Sequence, residues 1–261
     1  MHIPKLLPIG ALLAAREQTQ TPAQTSSSSP QPLLARDVPY GVIIEHCTVP
    51  GVVALTFDDG PFQYTSQVLD FLGQYGAKAT FFVNGDNWSH GIDDSSTPWP
   101  ATLKRMISEG HQIGSHTWSH VDLTAADSTT RYNQMQQLDV ALTNVIGKSP
   151  TYMRPPYATC EGGCLADMQQ LGYHVINFDV DTKDYLHDTP EDISVAMDTF
   201  SAAVGSGGPS SSFLVLSHDV HEQTALALTP YMLDKIYAKG YRAVTVGECL
   251  GDAPENWYRS S

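Results

Sequence analysis

A distorted (β/α) barrel, α/β in class and folded as a single domain, is what this sequence predicts. Three observations carry it. Apolar runs of strand length alternate with amphipathic segments of helix length, the signature of βαβ units and a parallel sheet. There are about seven such strands, enough to curl a sheet towards closure. The polar residues with evident chemistry stand just after the strands, at the end of a barrel where function resides. The 261 residues, 41% hydrophobic, can supply one core of that size.

Taken in order, residues 1–15 carry His2 and Lys5 before an apolar run and read as a secretory signal segment, with Ala14, Ala15 and Ala23 as cleavage candidates. Residues 16–39, rich in Gln, Thr, Ser and Pro, read as a low-complexity leader. The folded domain is expected over 40–261. No later stretch reaches the length of a membrane span, and 255–261 holds no apolar tail for a lipid anchor.

Within the domain, 52–57 reads as a buried strand that runs into Asp58-Asp59-Gly60-Pro61. A helix over 66–75 places Val68, Leu69, Phe71 and Leu72 near one face and stops at Gly76. Residues 79–83 are a second strand. The helix at 100–109 spaces Leu103, Met106 and Ile107 helically and ends at Gly110. A third strand covers 111–115, a long helical zone 125–146, and a short extended piece 151–153. A helix over 165–171 stops at Gly172, and 173–178 is again a strand. A helix follows over 190–204 with Pro190 in its first turn. Then come a strand at 213–216, a helix at 225–239 stopped by Gly240, and a last strand at 241–246.

The charge is strongly acidic: 14 basic against 28 acidic side chains, net -14. That balance speaks against nucleic-acid partners and anionic membrane surfaces, and it tolerates a neutral or cationic polymer. Four cysteines behind a signal segment favour disulfides. Three pairings exist. The set Cys160–Cys164 with Cys47–Cys249 is preferred, because it joins near neighbours and clasps the start of the domain to its end. A zinc site at Cys160 and Cys164 would need two further ligands at matching spacing, and none is evident. Asn87-Trp88-Ser89 is a glycosylation sequon.

Asp58-Asp59 is an uncomfortable pair at the end of a buried strand. Ionised carboxylates there must be paired, hydrogen-bonded or bound to a metal. His116 and His120, in His116-Thr117-Trp118-Ser119-His120, stand four residues apart, which in a helical turn puts both on one face and lets both nitrogens reach one ion. One of the aspartates could complete a two-His, one-carboxylate set that leaves a position open for water, the pattern of a catalytic metal site. Arg154-Pro155-Pro156-Tyr157 is a stiff segment that fixes an arginine, which beside the aspartates would favour their ionised forms. Asp179, Asp181 and Asp184 follow one strand, and His218, in Leu216-Ser217-His218-Asp219, follows another. A carboxylate beside an imidazole keeps it protonated. Trp88, Trp118, Tyr64 and Tyr185 are candidates for stacking on sugars, Trp118 and Tyr185 being nearest the chemistry by sequence.

In this order TFDDGP, HTWSH, RPPY, DTKDY and LSH resemble the five motifs of the NodB-homology polysaccharide deacetylases, carbohydrate esterase family 4, over about residues 51–246. The cysteine placement and DTKDY look most like fungal chitin deacetylases. The resemblance implies a secreted, monomeric enzyme. It would remove the N-acetyl group from N-acetylglucosamine units of chitin or chitooligosaccharides, giving chitosan and acetate. It implies one divalent ion, zinc or cobalt, on Asp59, His116 and His120. Asp58 would be the base, Arg154 would orient it, His218 would be the acid and Asp184 would set its pKa. The Tyr157 N–H would serve the oxyanion, while Leu216, Tyr185 and Trp118 would contact substrate. Many members carry Trp where this chain has Tyr185. Peptidoglycan deacetylation and acetylxylan ester cleavage are rival reactions for the same machinery. A non-catalytic glycan-binding role is disfavoured by the presence of both Asp58 and His218.

Overall fold

In chain order the strands of the computed structural model are β1 (Ile43–Ile44), β2 (Val52–Asp58), β3 (Thr80–Val83), β4 (Gln112–Ser115), β5 (Lys148–Pro150), β6 (Tyr152–Met153), β7 (His174–Ile176), β8 (Val180–Asp181), β9 (Phe213–His218), β10 (Arg242–Val244) and β11 (Tyr258–Ser260). The helices are α1 (Thr65–Tyr75), α2 (Trp99–Ser108), α3 (Ser128–Ile146), α4 (Gly163–Leu171), α5 (Ile193–Gly205), α6 (Thr229–Ala238) and α7 (Val246–Leu250). Residues 1–2 and 38–260 are described. The expected signal segment 1–15 and leader 16–39 lie outside the described residues, apart from residues 1, 2, 38 and 39.

β2 is the axis of the sheet. It pairs with β9 along Val53–Asp58, while its other edge is shared by β10 at Val52–Ala54 and β3 at Thr56–Asp58. All seven of its residues are buried, as expected for a parallel strand covered on both faces. Side chains alternate along it. Val53, Leu55 and Phe57 pack outward against the helices with Leu69, Phe81, Leu138 and Leu233. Val52 and Ala54 pack with Phe82, Tyr152 and Leu214. Full burial of one such aromatic or aliphatic side chain is worth roughly 1.5–3 kcal/mol. By the same alternation Thr56 and Asp58 share the face of Val52 and Ala54, so the strand carries a carboxylate on that side.

Among the described residues the principal sheet has nine strands, all paired in parallel, in the path β1-β7-β6-β4-β3-β2-β9-β8 with β10 on β2. It is curled but not closed by hydrogen bonds, since β1 and β8 are its ends. The chain bridges the gap instead: only residues 177–179 separate β7 from β8. Four peptide steps span at most about 14 Å, so the two sides of the seam must face each other. Where one strand over 173–178 was expected, β7 stops at Ile176 and the chain crosses the seam.

Other departures have local causes. Pro190 is not in the first turn of a helix. α5 begins at Ile193 because the Asp192 carboxylate accepts from Thr189 N and Oγ1, which closes a turn over 189–192 first. The expected helix over 225–239 opens with a π turn at Thr224–Leu228. Pro230 has no N–H to give the carbonyl four residues back, and Thr229 Oγ1 donates to Thr224 O at 2.8 Å. The last strand ends at Val244, where Thr245 caps α7 by accepting from Glu248 N. β5 and β11 form a separate antiparallel pair. Both preferred disulfides, Cys47–Cys249 and Cys160–Cys164, are present.

Candidate active site

Register determines which residues meet. β2 and β9 pair Asp58 with His218, β3 and β4 pair Val83 with Ser115, and β4 and β6 pair Ser115 with Met153. The residues that follow these pairs are Asp59, Asn84, His116 and Arg154. All emerge at the C-terminal end of the sheet, with neighbouring strands about 4.8 Å apart. The cleft they border has a volume of about 520 Å³ and is lined by Asp58, Asp59, His116, His120, Arg154, Tyr157, Tyr185, Leu216, His218 and His221, among others.

Arg154 is 1% exposed and fully engaged. It donates to Asp58 Oδ1 at 2.8 Å, to Thr56 Oγ1 at 2.5 Å, and across the seam to the carbonyls of Ile176 and Asn177 at 3.1 and 2.8 Å. Its guanidinium also lies 4.5 Å from the Phe82 ring centroid. A buried cation tied this way is a fixed counter-charge for one carboxylate. Burial pushes the Asp58 carboxyl above its ordinary value, and the charges of Arg154 and His218 oppose that push.

Asp59, His116 and His120 offer ligand atoms within 4.8 Å of one another. Asp59 Oδ1 lies 3.5 Å from His116 Nε2 and 3.4 Å from His120 Nε2. His116 Nδ1 donates to Arg154 O at 2.8 Å, which leaves Nε2 as the free lone pair aimed at Asp59. Burial holds this imidazole neutral, lowering its pKa to about 3. Asp59 Oδ1 is buried with no hydrogen-bond partner among the described residues. An orphaned carboxylate oxygen facing two imidazole nitrogens fits a divalent cation.

The two histidines do not converge through a helical turn. Residues 116–120 form an irregular loop with left-handed backbone at Thr117 (φ 70°) and His120 (φ 55°). The turn is closed by His120 N donating to Thr117 Oγ1 at 3.0 Å and by Asn84 Nδ2 donating to the carbonyls of His116 and Thr117. That conformation sends Trp118 away from the cleft. Its ring covers Gly85, where any Cβ would collide with it, and lines a separate groove with Asp93, Gln137 and Val140. Trp118 is therefore not brought to the site, while Tyr185 is, with its ring 5.3 Å from that of His218. Tyr64 packs on the core, and Trp88 is exposed against Phe62.

On the opposite wall Asp184 is buried and saturated. It accepts from His218 Nδ1 and N at 2.8 and 2.7 Å, from Thr224 Oγ1 at 2.7 Å and from Tyr185 N at 3.0 Å. Burial alone would lower the His218 pKa, but the Asp184 charge and hydrogen bond, helped by Asp58 and Asp59, raise it to about 9. Tyr157 and Ala158 both have left-handed backbone, φ 58° and 57°, after the two prolines. Asn177 Nδ2 holds the Ala158 carbonyl at 3.1 Å. Leu216 pairs with Asp181 and lines the floor.

Three contributors escaped the sequence reading: Asn84, Asn177 and His221. Asn84 directly follows an expected strand, so the rule about strand ends could have selected it. Asn177 was hidden inside an expected strand. The His218-x-x-His221 spacing was a signal that the pairing with Asp188 only makes legible in three dimensions.

The family model described as polysaccharide deacetylase matches residues 45–176. The chain is 48% identical over 240 residues to a chitin deacetylase of Colletotrichum lindemuthianum, covering 92% of this chain and 96% of that protein. It is 50% identical over 255 residues to a chitin deacetylase of Pestalotiopsis sp, covering 98% and 80%. The solved structure of the Colletotrichum lindemuthianum chitin deacetylase superposes with a TM-score of 0.83 at 49% identity, covering 86% of this chain and 98% of that one.

Proposed function

The chain belongs to the polysaccharide deacetylase family, and from that premise we propose that it hydrolyses the N-acetyl group of N-acetylglucosamine units in chitin, releasing acetate and leaving chitosan. The observation that carries the reading is one cleft with two unlike walls. An Arg-oriented carboxylate and an Asp/His/His triad form one, and a carboxylate-held imidazole forms the other.

Asp59, His116 and His120 would hold a divalent ion, zinc or cobalt, which when bound supplies a Lewis-acidic charge for the amide oxygen and for water. Asp58, fixed by Arg154, takes a proton from the attacking water. The Tyr157 N–H, offered from its left-handed turn, donates to the amide oxygen as that oxygen becomes negative. An amine leaves poorly without a proton, so His218 delivers one from Nε2 while its Nδ1–H stays on Asp184. Leu216 gives the acetyl methyl an apolar floor, and Tyr185 forms a wall beside the sugar. The protein is secreted and works as a monomer. Its signal segment covers 1–15, its leader 16–39 and its catalytic domain 40–261. Two disulfides suit an oxidising compartment, and no helix of the described residues is long and apolar enough to cross a membrane.

The test is acetate release from chitin oligomers, peptidoglycan and acetylxylan, measured side by side with the zinc-loaded protein. Chitin oligomers should be preferred; a preference for acetylxylan would overturn the substrate.

A further inference from the structure

The segment after β8 holds two imidazoles. Asp184 fixes His218, and four residues later Asp188 does the same for His221. Asp188 Oδ2 accepts from His221 Nδ1 at 3.1 Å, and Oδ1 accepts from Gln223 N at 2.8 Å. Both carboxylate oxygens are thus used, one on the ring and one on the backbone that carries it. That is how a side chain is held in one orientation.

His221 lines the same cleft as the acid and the metal triad. Its ring centroid is 5.9 Å from that of His218 and 6.2 Å from that of Trp88. It stands beside His218, with the exposed Trp88 also close by. Asp188 is an acceptor, so Nδ1 carries a proton, and Nε2 is the ring's remaining hydrogen-bonding atom. Among the described residues no protein group donates to Nε2. A histidine kept only for packing would have both nitrogens satisfied or buried. This one has a single nitrogen fixed and its ring on the cleft, and the chemistry proposed above gives it no task.

We infer that His221, oriented by Asp188, is a specificity-determining residue: Nε2 hydrogen-bonds a hydroxyl of the sugar next to the one being deacetylated. The inference rests on the proposed reading of the reaction, because it takes the ligand to be a chain of N-acetylglucosamine. Sugar hydroxyls, which both donate and accept, abound on such a chain, and a partner with fixed direction selects for one position among them.

The experiment compares the zinc-loaded wild type with His221→Leu and His221→Gln on N-acetylglucosamine oligomers of two to five units, with thermal unfolding as a check on folding. His221→Leu should raise KM for the tetramer roughly 3- to 10-fold, the net worth of one hydrogen bond. The kcat and the alkaline limb of its pH profile should be retained. The ratio of kcat/KM for long over short oligomers should fall, and His221→Gln, which keeps an acceptor oxygen, should recover part of the loss. Asp188→Asn, which weakens the hold on the ring, should shift KM in the same direction. An unchanged KM would overturn the inference, as would a fall in kcat with a displaced alkaline limb, which would make His221 a partner of His218 and not of substrate. Failure of the wild type to release acetate from any chitin oligomer would instead overturn the reaction. Calorimetric titration of chitin tetramer into Asp58→Asn and the double variant Asp58→Asn/His221→Leu then decides the contact with turnover suppressed, equal affinities counting against it.

Discussion

The two walls of the cleft are finished to different degrees. On the acid wall Asp184 accepts four hydrogen bonds, and one of them fixes the His218 ring through Nδ1. On the metal wall His116 is oriented by a backbone carbonyl, but Asp59 Oδ1 is buried and unpaired, facing two imidazoles at 3.4 and 3.5 Å. The difference teaches that folding alone fixes the His218 imidazole, whereas Asp59, His116 and His120 are left as a donor set that fits a divalent ion. Asp58 stands between them, tied to Arg154 and level with His218 in the strand register.

Breaking the metal wall should have the largest effect. His120→Ala removes one of three ligands, and zinc content by elemental analysis should fall to background with activity lost altogether. Full zinc occupancy in that variant would remove His120 from the ligand set. Asp58→Asn should keep fold and zinc but lower kcat by about 10²–10⁴-fold, the usual worth of a positioned base; near-normal turnover would end the assignment of Asp58.

The acid wall should respond to pH. His218 is held up to about 9, so activity should fall as pH rises through about 9. Asp184→Asn removes the charge that raises it, and the alkaline limb of kcat/KM should move downward by a pH unit or more. The stability sign follows from the same shift. The folded-state pKa lies above the ordinary value near 6.5, so the imidazolium–Asp184 attraction contributes fully below about pH 6.5 and is lost as pH rises through about 9. Urea midpoints across that window should decline in the wild type and flatten in Asp184→Asn.

The smallest effect separates the walls by stability. Zinc at 100 times its Kd should stabilise the wild type by about 2.7 kcal/mol, read as a rise in Tm that chelation reverses. Asp184→Asn should keep that increment, and His120→Ala should lose it. Retention of the increment in His120→Ala would mean that the ion binds elsewhere.

How much of this could be read in advance depends on range. Elements set by local pattern were legible: the apolar run of β2, the glycine stop of α1 at Gly76, the amphipathic spacing of α2. Elements decided by a competing side chain were misplaced, as where Asp192 closes a turn before α5 or Pro230 forces a π turn. Two-residue strands such as β8 carry no periodicity to read, because their pairing partner supplies the order. That Asp58, Asp59, His116, His120, Arg154 and His218 gather on one cleft was legible because each stands at or just beyond a strand end. The loop at 116–120 was not, since left-handed backbone at Thr117 and His120 is stabilised by Asn84, over thirty residues earlier in the chain. Trp118 was drawn to the site by its neighbours in sequence, and that same backbone turns it away.

The sequence by itself determined the inventory: which carboxylates, imidazoles and arginine stand at strand ends, four cysteines able to pair, and a strongly acidic chain. Those are properties of residue type and spacing. Only the tertiary structure decided the division of labour. Asp58 and Asp59 are the same residue type one position apart. The pleat sends Asp58 inward to Arg154, and the left-handed turn at Asp59 (φ 76°) sends it to the histidines. Register brings His218 level with Asp58, and a three-residue crossing of the seam supplies the carbonyls that hold Arg154. Pleat direction, register and closure are relations between distant segments, and no local stretch of sequence encodes them.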